Sequence, residues 1–203
     1  DQHLCIPFLN NLSMCGFSFL YSFSDNFQDT TLKRMNDVIA HRGPDGEGLW
    51  THNLSNGHKI GLAHRRLKII DLSDNGAQPM HSHCGRYVMV FNGEIYNFKD
   101  LRADLIQRGC TFRSQSDTEV LLAAYVAYGT DVVQHLNGMF AFVIWDKRDE
   151  KCFIARDRFG EKPLYYGFLE GGGVVFASEI KAITAYPSWS AEKNEKRLCA
   201  FFK

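Results

Sequence analysis

Cys15 is the residue with the most chemical potential in this chain, because of its neighbours in Met14-Cys15-Gly16-Phe17. A cysteine directly after a methionine becomes a first residue once the chain up to that methionine is removed. Its free α-amine, with a pKa of roughly 7.7–8.0, is then a base placed beside its own thiol, and the pair is a self-activated nucleophile. Fourteen residues, Asp1 to Met14, precede it as written. Taken alone, a single cysteine is more often a small apolar side chain, so its company matters. In Phe91-Asn92-Gly93-Glu94-Ile95-Tyr96-Asn97, a carboxamide and an unobstructed backbone N–H can converge on one point, as an oxyanion hole requires. The same Asn-Gly pair also suits a plain turn. In Leu62-Ala63-His64-Arg65-Arg66-Leu67, strand alternation puts His64 and Arg66 on one face and Arg65 on the other. An arginine aimed into a pocket grips a carboxylate at two points; on an edge it is merely solvated. Asp117 falls in the first turn of a helix, where it complements the dipole or accepts hydrogen bonds from a bound ammonium, a role Glu94 can share. Arg66 and Asp117 together would recognise the two ends of an amino-acid zwitterion.

The elements that carry these residues follow from spacing. Asp29 to Ile39 reads as a helix with Leu32, Met35 and Ile39 on one face, followed by a Gly-rich turn from Arg42 to Gly48. Phe19 to Tyr21, Ile60 to Leu67 and Arg86 to Phe91 read as strands. Phe98 to Gln107 is a second helix, capped by Asn97. Ser116-Asp117-Thr118-Glu119 is a capping-box pattern that opens a third, Asp117 to Tyr128. The apolar run Met139 to Trp145 fits a strand buried on both faces. Lys151 to Arg156 is the next strand. Leu164 to Phe168 and Val174 to Ala177 flank Glu170-Gly171-Gly172-Gly173 as a hairpin, and a short helix begins near Glu179. Strands joined by short turns imply antiparallel pairing. The clustering of helices between sets of strands implies an α+β fold rather than βαβ units. Two stacked sheets with helices outside would bury both kinds of element.

Composition narrows the class. The 203 residues are 45% hydrophobic, with 23 basic and 23 acidic side chains, enough for a sizeable core and too balanced for a disordered chain. Zero net charge gives no general electrostatic pull toward nucleic acid or an anionic membrane. No apolar stretch is long enough to span a bilayer, and the Leu4–Leu12 segment lacks a basic region before it. The six cysteines, Cys5, Cys15, Cys84, Cys110, Cys152 and Cys199, show no zinc-like spacing and no need for disulfide staples. A reducing, cytoplasmic setting is expected.

Read together, the motifs resemble a known family. In addition to those above, His41-Arg42-Gly43-Pro44-Asp45, Gly138-Met139-Phe140-Ala141, the segment Ala155 to Tyr166, and Phe176-Ala177-Ser178-Glu179-Ile180-Lys181 occur in order. The chain from Cys15 to about Pro187 is similar to the N-terminal glutaminase domain of glutamine-dependent asparagine synthetases, class II glutamine amidotransferases of the N-terminal-nucleophile hydrolase fold. The resemblance implies a four-layer αββα sandwich of two antiparallel sheets. It implies Cys15 as nucleophile, Asn92 and the Gly93 N–H as oxyanion hole, Arg66 on the glutamine α-carboxylate, and Asp117 with Glu94 on its α-ammonium. The His41–Gly46 turn would be a mobile cover over bound glutamine. No metal and no cofactor are implied for this domain. ATP and magnesium would serve only the C-terminal synthetase domain, to which ammonia passes and which amidates aspartate. That domain is the expected partner, together with glutamine and, in some relatives, a second copy forming a homodimer.

The chain departs from this pattern at both ends. Residues 1–14 are expected to be a leader, a propeptide or translated upstream sequence, with Met14 the alternative start. Residues 188–203 resemble the beginning of a truncated synthetase domain, and no Ser-Gly-Gly-Xaa-Asp pyrophosphatase loop occurs in the 203 residues. Two alternatives stay open: a glutaminase half serving a different carboxylate acceptor, and a silent docking domain should Cys15 never become N-terminal.

Overall fold

The structure is a computed structural model that describes residues 14–23, 27–69, 71–187 and 189–190. Expectations for the leader, for Cys5 and Cys199, and for the charged tail lie outside these residues. In chain order the elements are β1 (Gly16–Ser22), α1 (Asp29–Asp37), β2 (Gly46–Asn53), β3 (Lys59–Arg66), β4 (Met80–His81), β5 (Tyr87–Ile95), α2 (Phe98–Gln107), α3 (Asp117–Tyr128), α4 (Val132–His135), β6 (Gly138–Asp146), β7 (Lys151–Arg156), β8 (Tyr165–Phe168), β9 (Gly173–Ala177) and α5 (Ile180–Thr184).

The strands form two sheets, one in the order β2-β3-β1-β9-β8 and the other β4-β5-β6-β7, with every named strand pair antiparallel. Alternation decides which side chains meet. Phe17, Phe19 and Leu62 of the first sheet pack against Val90, Val143 and Trp145 of the second in a cluster between the sheets. On the outer face of the first sheet, Leu20, Ala63 and Val175 meet Leu32 and Met35 of α1 and Ile183 of α5. On the outer face of the second, Phe91, Phe142 and Ile144 meet Leu101 and Leu105 of α2 and Leu121 of α3. The result is the expected αββα layering. Each fully buried Leu or Phe contributes roughly 1.5–3 kcal/mol, so the three apolar layers hold the sheets at a fixed separation. That separation sets the width of the site.

Several local expectations need correction. Asn97 makes no side-chain cap on α2; its amide instead ties the loop before β6, donating to His135 O at 2.9 Å and accepting from Asn137 N at 2.9 Å. Ser116 Oγ does accept the Glu119 N–H at 3.3 Å. The Glu119 carboxylate does not close the box, because it turns to the N–H groups of Arg113 and Ser114. β2 stands where only a Gly-rich turn was expected, a half-exposed strand that exists through its register with β3.

Candidate active site

Cys15 lies immediately before β1, and the register of β1 against β3 pairs Gly16 with Arg65. That pairing brings the thiol onto the first residue beyond β3. It donates to Leu67 O at 3.6 Å and accepts from Leu67 N at 3.3 Å. Burial pushes the thiol above its ordinary pKa; the Leu67 N–H and the nearby Arg66 charge oppose this, and Asp117 reinforces it. The thiol therefore stays protonated at neutral pH until a base takes its proton. The Cys15 carbonyl is held from the other side by Arg42 Nε at 3.0 Å.

Arg66 closes β3 and is 7% exposed. Its guanidinium is aimed by two backbone carbonyls, Ser73 O at 2.7 Å and Asp71 O at 2.6 Å. Gly76 makes room for it: a Cβ there would sit 2.3 Å from Arg66 Nη2. The loop that supplies these carbonyls is tied at both ends. The Asp71 carboxylate accepts from Ser73 N at 2.8 Å and from Gln115 N, just before α3, at 2.9 Å. The Gln78 amide pairs with both backbone groups of Phe91, accepting at 2.6 Å and donating at 3.1 Å. One short segment thus connects the arginine to the strand and to the helix that bear the other site residues.

Asp117 opens α3 and accepts a hydrogen bond from Ile95 N at 3.0 Å. Burial raises its pKa to about 6; backbone N–H groups resist this and the Glu94 charge adds to it. No cationic side chain pairs with it among the described residues.

Cys15, Arg66, Gly93, Glu94 and Asp117 line one cleft of about 80 Å³, with Leu67, Asp71 and Gln78 completing its wall. Asn92 is the exception. It shares the inter-sheet side of β5 with Val88 and Val90, is 1% exposed, and does not line the cleft. Its Nδ2 has no partner among the described residues. Gly93 is required by packing, since a Cβ would meet Met139 O at 2.3 Å. The His41–Gly46 turn is fastened in this structure. Asp45 N donates to Arg66 O, Asp45 Oδ2 accepts from Lys68 N, and Arg42 Nη1 meets Glu179 at 3.0 Å. Sequence reasoning missed Asp71 and Gln78, whose roles depend on distant backbone, and treated Arg42 only as part of a turn.

A sequence model described as the glutamine amidotransferase domain matches residues 14–203. The chain belongs to that family. This glutamine amidotransferase domain is 40% identical over 193 residues to asparagine synthetase (glutamine-hydrolyzing) 3 of Bacillus subtilis, covering 93% of this chain and 30% of the relative. Asparagine synthetase (glutamine-hydrolyzing) 1 of the same organism is 44% identical over 174 residues, covering 84% and 26%. Amidase chry2 of Gibberella zeae is 43% identical over 156 residues, covering 75% and 22%. The chain therefore spans less than a third of the length of these three relatives. Among solved structures, the B. subtilis glutamine phosphoribosylpyrophosphate amidotransferase complexed with ADP and GMP superposes with a TM-score of 0.70 over 85% of this chain and 43% of its own, at 21% identity. That likeness establishes the shared fold. Among the described residues, no helix is long and apolar enough to cross a membrane.

Proposed function

We propose that the domain hydrolyses glutamine to glutamate and ammonia through a thioester on Cys15. The observation that carries this reading is the cleft itself: a thiol, a buried arginine and a buried carboxylate with no cationic partner among the described residues line it together, the set of groups that fixes a free amino acid by both charged ends. The thiol's hydrogen-bond partners are the backbone groups of Leu67, and no side-chain base bonds to it among the described residues. The base is then the α-amine of Cys15, which requires removal of Met14 and whatever precedes it. The amidotransferase unit so defined runs from Cys15 to about Pro187.

In the reaction, the α-amine takes the thiol proton and the sulfur adds to the side-chain amide carbon. Charge develops on the amide oxygen and would be met by the Gly93 N–H, which lines the cleft, and by Asn92 Nδ2, which is buried outside it and would have to turn toward the oxygen. The carbon–nitrogen bond breaks as the α-ammonium returns its proton, and ammonia leaves. Water, deprotonated by the same amine, opens the thioester and releases glutamate. Arg66 holds the α-carboxylate of the substrate; Asp117, with Glu94, holds its α-ammonium.

The relatives named asparagine synthetases support an acceptor reaction in the remainder of a longer protein, where ATP and magnesium would activate aspartate for the ammonia. The relative named an amidase supports a second reading, in which the same glutaminase serves another carboxylate. The test is glutamate release by the protein with Cys15 as its first residue. Activity is expected there and is expected to vanish in Cys15→Ala with the fold intact. Hydrolysis that survives Cys15→Ala overturns the nucleophile assignment.

A further inference from the structure

Lys162 is a buried cation that the reaction above leaves without a role. It is 5% exposed, and no carboxylate lies within ion-pair distance of it among the described residues. Its Nζ instead lies 2.9 Å from Sδ of Met14, the residue whose carbonyl is bonded to the Cys15 nitrogen. The loop that carries it is built with unusual care. The Asp157 carboxylate gathers four backbone N–H groups: Phe159 at 3.1 Å, Glu161 at 2.8 Å, Lys162 at 2.9 Å and Phe140 of β6 at 3.2 Å. From the opposite side, Arg156 Nε holds Lys162 O at 2.6 Å and its Nη2 holds Gly160 O at 2.5 Å. Burying an ammonium without a counter-charge is costly, and a loop clamped this firmly points to a reason for accepting that cost.

Removal of Met14 takes away the Sδ that contacts Lys162 Nζ, and the new N-terminus forms at the next residue. We propose that Lys162 is a positioning residue for proton transfer: its charge, held against Met14, the residue joined to the Cys15 nitrogen, keeps the α-amine unprotonated at neutral pH. The proposal rests on Cys15 being the first residue of the active protein. The charges around this corner make the need plain. Asp117 and Glu94 face the cleft as carboxylates, Glu161 adjoins Lys162, and all three favour a protonated amine. On the positive side, Arg42 is already answered by Glu179, and Arg66 is turned onto the carbonyls of Asp71 and Ser73. Lys162, against Met14, adds a third cation at this corner. Burial and Arg42 draw its own pKa below the usual lysine range, from a starting point of about 10.4.

The test uses the full-length protein beginning at Cys15, as wild type, Lys162→Met and Lys162→Arg. The thiol is blocked reversibly as its methyl disulfide. The α-amine is trace-acylated with isotopic acetic anhydride across a pH series, and the extent is read by peptide mass spectrometry. In Lys162→Met the half-point should move up by about one pH unit, so that acylation at pH 7 slows roughly tenfold. The acid limb of kcat/KM for glutamine should move with it after the thiol is unblocked. Lys162→Arg keeps the charge and should restore both. An unmoved half-point in Lys162→Met, or an equal shift in Lys162→Arg, overturns the proposal. Acylation reads the amine without turnover. A shifted half-point in a protein that releases no glutamate would sink the glutaminase reading and leave the Lys162 assignment standing.

Discussion

Replacing Asp117 by Asn removes a charge that the fold holds at a loss, and the loss has a distinctive pH dependence. The carboxyl has a pKa of about 6 in the folded chain against an ordinary 3.8. Between those two values the folded state keeps a proton that the unfolded chain has released. Stability from this group is therefore full below about pH 4, falls as pH rises toward 6, and is level above. The gap between 3.8 and about 6, at 1.36 kcal/mol per unit, puts the ceiling near 3 kcal/mol. His64 pulls the opposite way. It is fully buried, its Nε2 bonds Phe91 O at 3.1 Å, and its pKa is depressed to about 3, so it costs stability as pH falls below 6.5. The wild-type curve mixes both effects, and the difference between Asp117→Asn and wild type isolates the first. Asn still accepts from Ile95 N, but its NH₂ cannot replace the second carboxylate oxygen, which adds a constant offset. The slope is thus the diagnostic quantity. Urea unfolding from about pH 4 to 8 should give a difference that climbs by about 2–3 kcal/mol in favour of Asp117→Asn up to about pH 6 and then flattens. The same variant should lose about 2 kcal/mol of glutamine affinity, roughly a 30-fold rise in KM. A flat difference curve, or one that falls with pH, would refute the claim that this carboxylate is buried without a partner.

Arg66→Ala should raise the KM for glutamine by roughly 30-fold or more with a smaller effect on kcat, and Arg66→Lys should recover little, because the two carbonyls that aim the guanidinium fit its fork. Steady-state kinetics decide this, and an unchanged KM in Arg66→Ala would remove the residue from substrate binding. Gly93→Ala should lower the unfolding midpoint as well as activity, since its Cβ would meet Met139 O at 2.3 Å and push β5 from β6. A cost of about 1–3 kcal/mol is expected in thermal unfolding, and a fully stable Gly93→Ala would show that the strands have slack at this point.

The parts of the fold legible in the sequence are those fixed by local rules. α2 and α3 match their expected bounds to the residue, because apolar spacing and a serine N-cap are written in neighbouring positions. β6 is legible because a central strand between β5 and β7 must be apolar on both faces. β2 was not, because its half-exposed residues carry no alternation and its strand character comes from pairing with β3. Asn97 sits where a cap belongs, yet its amide finds better partners around His135 and Asn137, which no local pattern encodes. The site divides the same way. Arg66 and Asp117 announce themselves by type and position. Gln78 and Lys162 do not, because the first acts on the backbone of Phe91 and the second is buried only by a loop wound around Asp157.

The cleft's two unusual ionisations share one cause. Burial raises the Cys15 thiol and the Asp117 carboxyl together, and each is thereby left unfinished in the free domain. On the proposed function, an amino-acid ammonium entering the cleft would supply the charge that Asp117 lacks and lower its pKa toward the ionised form. Desolvation that costs the free domain stability would thus be recovered as affinity for a substrate of one charge pattern. The thiol cannot be completed in this way, because its proton must leave before it can attack. Asp117 and Glu94 make the surroundings of any N-terminal amine more negative, which hinders that amine as a base. If those carboxylates serve recognition as proposed, a compensating cation is needed, and Lys162, on the loop around Asp157 and against Met14, is the one we propose.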